Sequence, residues 1–203
     1  MKIYHFLIGF LLIAYTSNAQ ESPLVNIETY GGSYAYDVKY ATDDNFLKTT
    51  VYDCVQCLLL PEVAKAIAAA NHDFCELGYK IQFYDCYRPV SVQKKMWAIY
   101  PNPSYVGNPY KSGSIHNRGA AIDMTIVKLD GTPLDMGSDY DHFGKEAHMD
   151  HPHSDTVKEN RKLLWDVMKN NGFSPIRTEW WHFNYDAKNY GLKVLDIDFD
   201  CPQ

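Results

Sequence analysis

The chain has 203 residues, of which 46% are hydrophobic and 22% charged, and a formal net charge of −6. These are ordinary globular values. An acidic balance with no basic stripe excludes a nucleic-acid partner as the expected one.

Met1 and Lys2 make a basic start, and residues 6–14 (FLIGFLLIA) form an apolar run of signal-peptide length, too short to span a bilayer as a stable helix. Ser17, Asn18 and Ala19 then offer small residues where signal peptidase reads. Residues 1–19 are therefore expected to be a signal peptide. No cysteine follows the cleavage point, so the lipoprotein variant has no support. The mature chain, 20–203, is expected to be one exported domain, periplasmic or secreted, with no second apolar run able to cross a membrane. Its length of about 180 residues is enough for one proper core.

Tyr30 to Tyr40 (YGGSYAYDVKY) reads as an extended segment or loop covering something. The spacing predicts a helix from Pro61 to Leu77, with proline in its first turn, an Ala-rich interior and Gly78 after its end. Lys80 to Cys86 alternates as a half-buried strand and runs into Tyr87-Arg88-Pro89. Ser91 to Tyr100 is a second predicted helix, capped by Ser91. Residues 101–113 are loop, and Ala120 to Lys128 is an apolar, β-branched strand. A long polar connection, Gly131 to Ser154, leads to a third helix opened by a Thr156/Glu159 capping box and ended at Gly172. A last strand covers Arg177 to Tyr185. Helices and strands mix without βαβ alternation, so the predicted class is α+β, a single domain with a mainly antiparallel sheet packed by helices.

Five cysteines lie in the mature part: Cys54, Cys57, Cys75, Cys86 and Cys201. In an oxidising compartment most should pair, and the odd number leaves at least one thiol. Cys54-Val-Gln-Cys57 has CxxC spacing, but no second CxxC exists for a tetrathiolate site, so structural disulfides or buried thiols are expected. The pairing is not legible in the sequence.

Two segments hold metal-ligand types at tight spacing. In the first, His116 precedes Gly119, which allows a sharp turn, and Asp123 follows on the predicted strand. The second is Glu179-Trp-Trp-His182. A catalytic zinc site takes three protein ligands and leaves one position open. Two imidazoles and a carboxylate, His116, His182 and Asp123, supply that set, and an aspartate amid Ala-Ala-Ile and Met-Thr-Ile-Val needs a partner to offset its burial. Glu179 is the further carboxylate able to accept a proton from water. The ligand set also suits non-haem Fe(II), but that use leaves Glu179 unexplained and export disfavours ferrous iron. Arg88, at the end of an apolar strand and locked by Pro89, is a candidate to stabilise an oxyanion; its alternative is a surface pair with Asp85. The cluster His148-Met-Asp-His151-Pro-His153 sits in a polar loop with nothing to fix its geometry, and is read as solvated. The 16 tyrosines and four tryptophans could line a carbohydrate or wall-binding cleft, although core packing is the commoner use.

These residues resemble the VanX-type D-alanyl-D-alanine dipeptidases, within the zinc peptidases that act on bacterial cell-wall D-peptides. The wider group's Ser-x-His-x-x-Gly-x-x-x-Asp and Glu-x-x-His stand here at Ser114 to Asp123 and Glu179 to His182. The narrower resemblance adds Tyr40-Ala-Thr-x-x-Asn45-Phe46, Asp85-x-Tyr87-Arg88-Pro89, and Met136-Gly-Ser-x-x-Asp141. It implies one zinc ion on His116, Asp123 and His182, Glu179 as general base and then acid, and Arg88 as transition-state stabiliser. It further implies that Ser114, Tyr40 and Asp141 hold the charged ends of a small D,D-dipeptide. Cys86 departs from the family pattern, and so does the signal segment, which moves the expected role towards salvage or recycling of wall-derived dipeptide. Two other readings stand beside this one. The first is a D,D-carboxypeptidase or endopeptidase acting on longer stem peptides, and the second a non-catalytic zinc or wall-peptide binding module.

Overall fold

The computed structural model describes residues 22–185 and 193–202; the expected signal segment 1–19 lies outside the described residues. In chain order the strands are β1 (Val25–Asn26), β2 (Ala35–Tyr36), β3 (Leu58–Leu59), β4 (Tyr79–Asp85), β5 (Ala121–Lys128), β6 (Phe173–Ile176) and β7 (Glu179–Tyr185). The helices are α1 (Pro61–Glu76), α2 (Val90–Ile99) and α3 (Asp155–Asn170). The main sheet has the order β2-β4-β5-β7-β6, and β1 pairs with β3 in a small second sheet. Only the edge pair β2–β4 is parallel; the other pairings in both sheets are antiparallel. The α+β class read from the sequence is the observed one.

Helix α1 forms where expected, and its Val63, Ala64, Ile67, Ala70 and Phe74 recur every three or four residues to make one buried stripe. That stripe shares a core with Ile81 and Phe83 of β4 and Ile122, Met124 and Ile126 of β5. Successive strand side chains point to opposite faces, so Asp123 and Thr125 lie on the other face of β5. They are buried there as well, at 4% exposure each. A central strand covered on both faces thus carries one carboxylate into the interior, and the site is built around it. Among the described residues no helix is long and apolar enough to cross a membrane.

Several local expectations are corrected. Helix α2 begins at Val90 rather than at a Ser91 cap; Ser91 sits in the first turn and its N–H donates to Asp196 Oδ1 at 2.8 Å. The anion at this helix start comes from 105 residues away, which no local motif reveals. Helix α3 is capped by Ser154, whose Oγ accepts from Val157 N–H, so the Thr156/Glu159 box does not form. The last predicted strand starts at Glu179, and the missed strand β6 precedes it; Pro175 is tolerated there because β6 is an edge strand. The loop holding His148 to His153 is fixed after all. Arg161, buried on α3, donates to the carbonyls of Met136, His148 and Glu146 at 2.8, 2.9 and 2.8 Å.

Disulfides join Cys54 to Cys201 and Cys57 to Cys86, leaving Cys75 as a free thiol. The two halves of the CxxC motif therefore go to different partners, as structural cysteines. Loops of 147 and 29 residues closed in this way stabilise by roughly 3–5 kcal/mol each in the chain-entropy picture.

Gly119 ends the 3-10 turn of His116–Arg118 with φ +66°, and a Cβ there would lie 2.6 Å from Leu24 Cδ2 and 3.3 Å from the Leu60 backbone nitrogen. Gly119→Ala combines left-handed strain with a clash against the Leu24 side chain and a tight contact with the Leu60 backbone. It is expected to lower stability by about 1–3 kcal/mol, read as a lower urea midpoint at unchanged m-value.

Candidate metal centre

The sheet register sets Asp85, Asp123 and His182 in one row across β4, β5 and β7, with Asp123 opposite Asp85 on one side and His182 on the other. His116 reaches the row from the turn that Gly119 closes. Its Nε2 lies 3.3 Å from Asp123 Oδ1 and 3.3 Å from His182 Nδ1, and His182 Nδ1 lies 2.9 Å from Asp123 Oδ1. All three residues are buried. Donors about 2.0–2.2 Å from a tetrahedral ion stand roughly 3.3–3.5 Å apart, so the triangle has the size of one face of such a site.

The outer partners fix which nitrogens face inwards. His116 Nδ1–H donates to the Cys86 carbonyl at 2.7 Å, leaving the lone pair on Nε2. His182 Nε2–H donates to Asn184 Oδ1 at 3.0 Å, leaving the lone pair on Nδ1. Two imidazole lone pairs and a carboxylate oxygen then converge with no hydrogen of their own between them. Such an acceptor-only triangle is satisfied by a cation, and the donor set therefore fits a metal ion. Without one, a proton takes the place: burial alone would lower the His182 pKa, but the Asp123 hydrogen bond and charge outweigh it and hold it up at about 9. Asp123 is correspondingly held well below the usual carboxylate range, the charge and hydrogen bond of His116 overcoming the effect of burial. Asp123 Oδ2 accepts from Tyr140 O–H at 3.0 Å.

Glu179 lies outside the triangle, with Oε2 3.8 Å from His182 Nδ1. Residues three apart on a regular strand face opposite sides. Here β6 and β7 lose register between Pro175 and Ile176, so that Ile176 pairs with Glu179 and Pro175 with Phe183. That irregularity brings Glu179 and His182 to the same side. Burial raises the Glu179 carboxyl, partly offset by the charge of His182.

Arg88 is not a surface residue. It is 7% exposed, with Nε (3.0 Å) and Nη2 both donating to Asp85 Oδ2 and Nη1 to Gln93 Oε1 at 2.9 Å. Asp85 is itself buried and also accepts from Tyr52 O–H at 2.6 Å and the Cys86 N–H at 2.9 Å. The Tyr40 ring covers the guanidinium at 5.3 Å, and Tyr40 O–H donates to Asp141 Oδ2 at 2.8 Å. Asp141 stands at φ +57°, a left-handed conformation that few residues other than glycine adopt. Burial, then the nearby Asp123, push its carboxyl well above its usual range. Ser114 supports the turn, its Oγ accepting from the His116 N–H at 3.3 Å.

The sequence reading did not single out Tyr140, Asn184, Tyr52 or Gln93. Asn184 was within reach of it, since it stands two residues beyond His182 and so faces the same way. Tyr140 OH is tied to the site by a contact 17 residues away in sequence. Tyr140→Phe is expected to weaken metal binding by about tenfold or more, which a competition titration with a coloured chelator measures.

A groove of about 1180 Å³ runs along the same side of the sheet, over Gln82, Tyr84, Thr125 and Trp180, and meets this centre at Tyr140 and Asp141. None of the three converging ligands lines it.

The family model for D-Ala-D-Ala dipeptidase matches residues 20–199. The chain is 34% identical over 180 residues to the D-alanyl-D-alanine dipeptidase of Escherichia coli, covering 88% of this chain and 92% of that protein. It is 31% identical over 176 residues to the D-alanyl-D-alanine dipeptidase of Enterococcus faecalis, covering 76% and 87%. A third, from Enterococcus faecium, is 31% identical over 183 residues, covering 80% and 91%.

Proposed function

This chain belongs to the D-Ala-D-Ala dipeptidase family, and from that premise we propose that it is a zinc enzyme hydrolysing D-alanyl-D-alanine to two D-alanines. The single observation that carries the mechanism is the acceptor-only triangle of His116, Asp123 and His182 with a second carboxylate, Glu179, beside it. Zinc bound by those three residues would supply Lewis acidity and a water acidified to near neutral pKa. Glu179 takes the proton of the attacking water and returns it to the amide nitrogen as the C–N bond breaks, giving a carboxylate and an amine. Arg88 has five N–H groups, of which Asp85 and Gln93 engage three. Tyr52 also lies within hydrogen-bonding reach of the guanidinium, and an N–H that remains would meet the carbonyl oxygen as it gains negative charge. Asp141 and Tyr40 would receive the dipeptide's ammonium end, and Ser114 its carboxylate.

Metal and proton compete for His182. Free imidazole titrates near 6.5 and His182 of the metal-free protein at about 9. The stabilisation given by its cation is therefore complete below about 6.5 and lost as pH climbs through 9. Zinc uptake between those values is expected to release about one proton, measurable by calorimetry in buffers of different ionisation enthalpy. No proton release at pH 7.5 would exclude His182 Nδ1 as the ligand atom.

Export is supported by the apolar run at 6–14 and by two disulfides, which persist in oxidising compartments. The workplace is then the periplasm or the exterior, and the role salvage or recycling of wall-derived dipeptide. One observation favours a second reading, cleavage of longer stem peptides: the groove that meets the centre at Tyr140 and Asp141. Turnover assays on D-Ala-D-Ala and on a wall pentapeptide, with and without chelator, decide between them. Chelator-sensitive cleavage of the dipeptide, with little of the pentapeptide, is expected; cleavage of the pentapeptide alone would overturn the dipeptidase reading.

A further inference from the structure

The Cys57–Cys86 bridge touches no reacting atom, yet its surroundings are those of the site. Both sulfurs are buried, at 1% and 2% exposure, and the bridge fastens the residue whose carbonyl orients His116. Beyond Asp85 the chain leaves β4, and residues 86–89 belong to no strand or helix. In this stretch the Cys86 N–H turns back to Asp85 Oδ1 and its carbonyl accepts from His116 Nδ1. The Tyr87 N–H donates to the Leu58 carbonyl and the Arg88 N–H to the His116 carbonyl, at 3.0 and 3.1 Å. Asn117 Nδ2 donates to the Arg88 carbonyl at 2.7 Å. Segment 57–60 also holds the turn from the other side, with Leu60 N–H donating to the Gly119 carbonyl at 3.1 Å. One covalent bond thus closes a frame in which segment 57–60 braces both the strand end carrying Arg88 and the turn carrying His116.

Resting on the metal-site reading above, we propose that Cys57 and Cys86 are a positioning pair: their disulfide holds the Cys86 carbonyl where it fixes the tautomer and direction of His116. Groups that orient a metal's histidines carry tenfold to hundredfold of the metal affinity. A disulfide that served only global stability would carry none of it.

The test is zinc affinity of the full mature chain by competition with a coloured chelator. The proteins compared are wild type, Cys57→Ser/Cys86→Ser and Val167→Ala, a core truncation on α3. The cobalt-substituted proteins are compared by their visible absorption bands. The serine pair is expected to lose at least tenfold in zinc affinity with shifted cobalt bands, while Val167→Ala melts lower but binds zinc as wild type does. Should the serine pair not fold, Cys57→Ala/Cys86→Val keeps the site apolar and is read in the same way. A loss smaller than tenfold in the folded variant overturns the positioning role. Absence of zinc binding in the wild type would instead overturn the metal-site reading itself.

Discussion

Replacing Glu179 by alanine is expected to lower turnover of D-Ala-D-Ala by about 10³-fold or more, with the zinc content unchanged. The two halves of this expectation come from different distances. The triangle proposed to receive the metal has edges of 2.9 to 3.3 Å, whereas Glu179 Oε2 stands 3.8 Å from His182 Nδ1. On the proposed mechanism it shares a water with the metal and is not among the residues that bind it. Removing it deletes a base without deleting a ligand. The pH profile adds a second readout. Burial raises the Glu179 carboxyl, although the charge of His182 offsets part of this. The active form is the carboxylate, so kcat/KM should fall as pH drops through the Glu179 pKa, which burial raises and the charge of a bound metal ion would lower. That acid limb should be missing from the residual activity of Glu179→Ala. Metal loss in the variant would make Glu179 a ligand, and near-normal turnover would remove it from the mechanism altogether.

The ligand types were legible in the sequence because chemistry restricts them. An aspartate inside the apolar run of β5 requires a partner, and a Glu-x-x-His pair beside it supplies ligand and base types in one short segment. The geometry that unites them was not legible. Glu179 and His182 reach the same side only through the lost register between β6 and β7, and that depends on β6, which Pro175 hid. The cysteine pairing was equally closed to sequence, since Cys54 and Cys57 stand three residues apart and yet pair with partners 147 and 29 residues away. The start of α2 was closed to sequence for a related reason: Asp196 serves Ser91 from the far end of the chain. Periodicity, by contrast, sufficed for α1 and β4, whose buried stripes are fixed by the chain's own repeat, and a continuous apolar run sufficed for β5, which is buried on both faces.

Arg88→Ala should produce two separable losses. The first is stability, by about 3–5 kcal/mol, because Asp85 would lose its cationic partner and stay fully buried with Tyr52 O–H and the Cys86 N–H as its donors. The second is kcat/KM, by about 10²–10³-fold, because no guanidinium N–H would meet the developing oxyanion. Adding Asp85→Asn separates the two effects. The neutral amide oxygen can still accept from Tyr52 and Cys86, so the double variant should recover much of the urea midpoint lost by Arg88→Ala. It should recover none of the catalytic loss, since nothing replaces the missing donors. If turnover returned together with stability, Arg88 would be a structural partner of Asp85 and the transition state would need another donor. The cover of Tyr40 over the guanidinium, at 5.3 Å, makes the first outcome the expected one. That ring lies across one face of the guanidinium and, with Asp85 and Gln93, holds its plane in place. A donor held in that way is ordered before substrate arrives, and preorganisation of this kind gives an oxyanion donor its effect on rate.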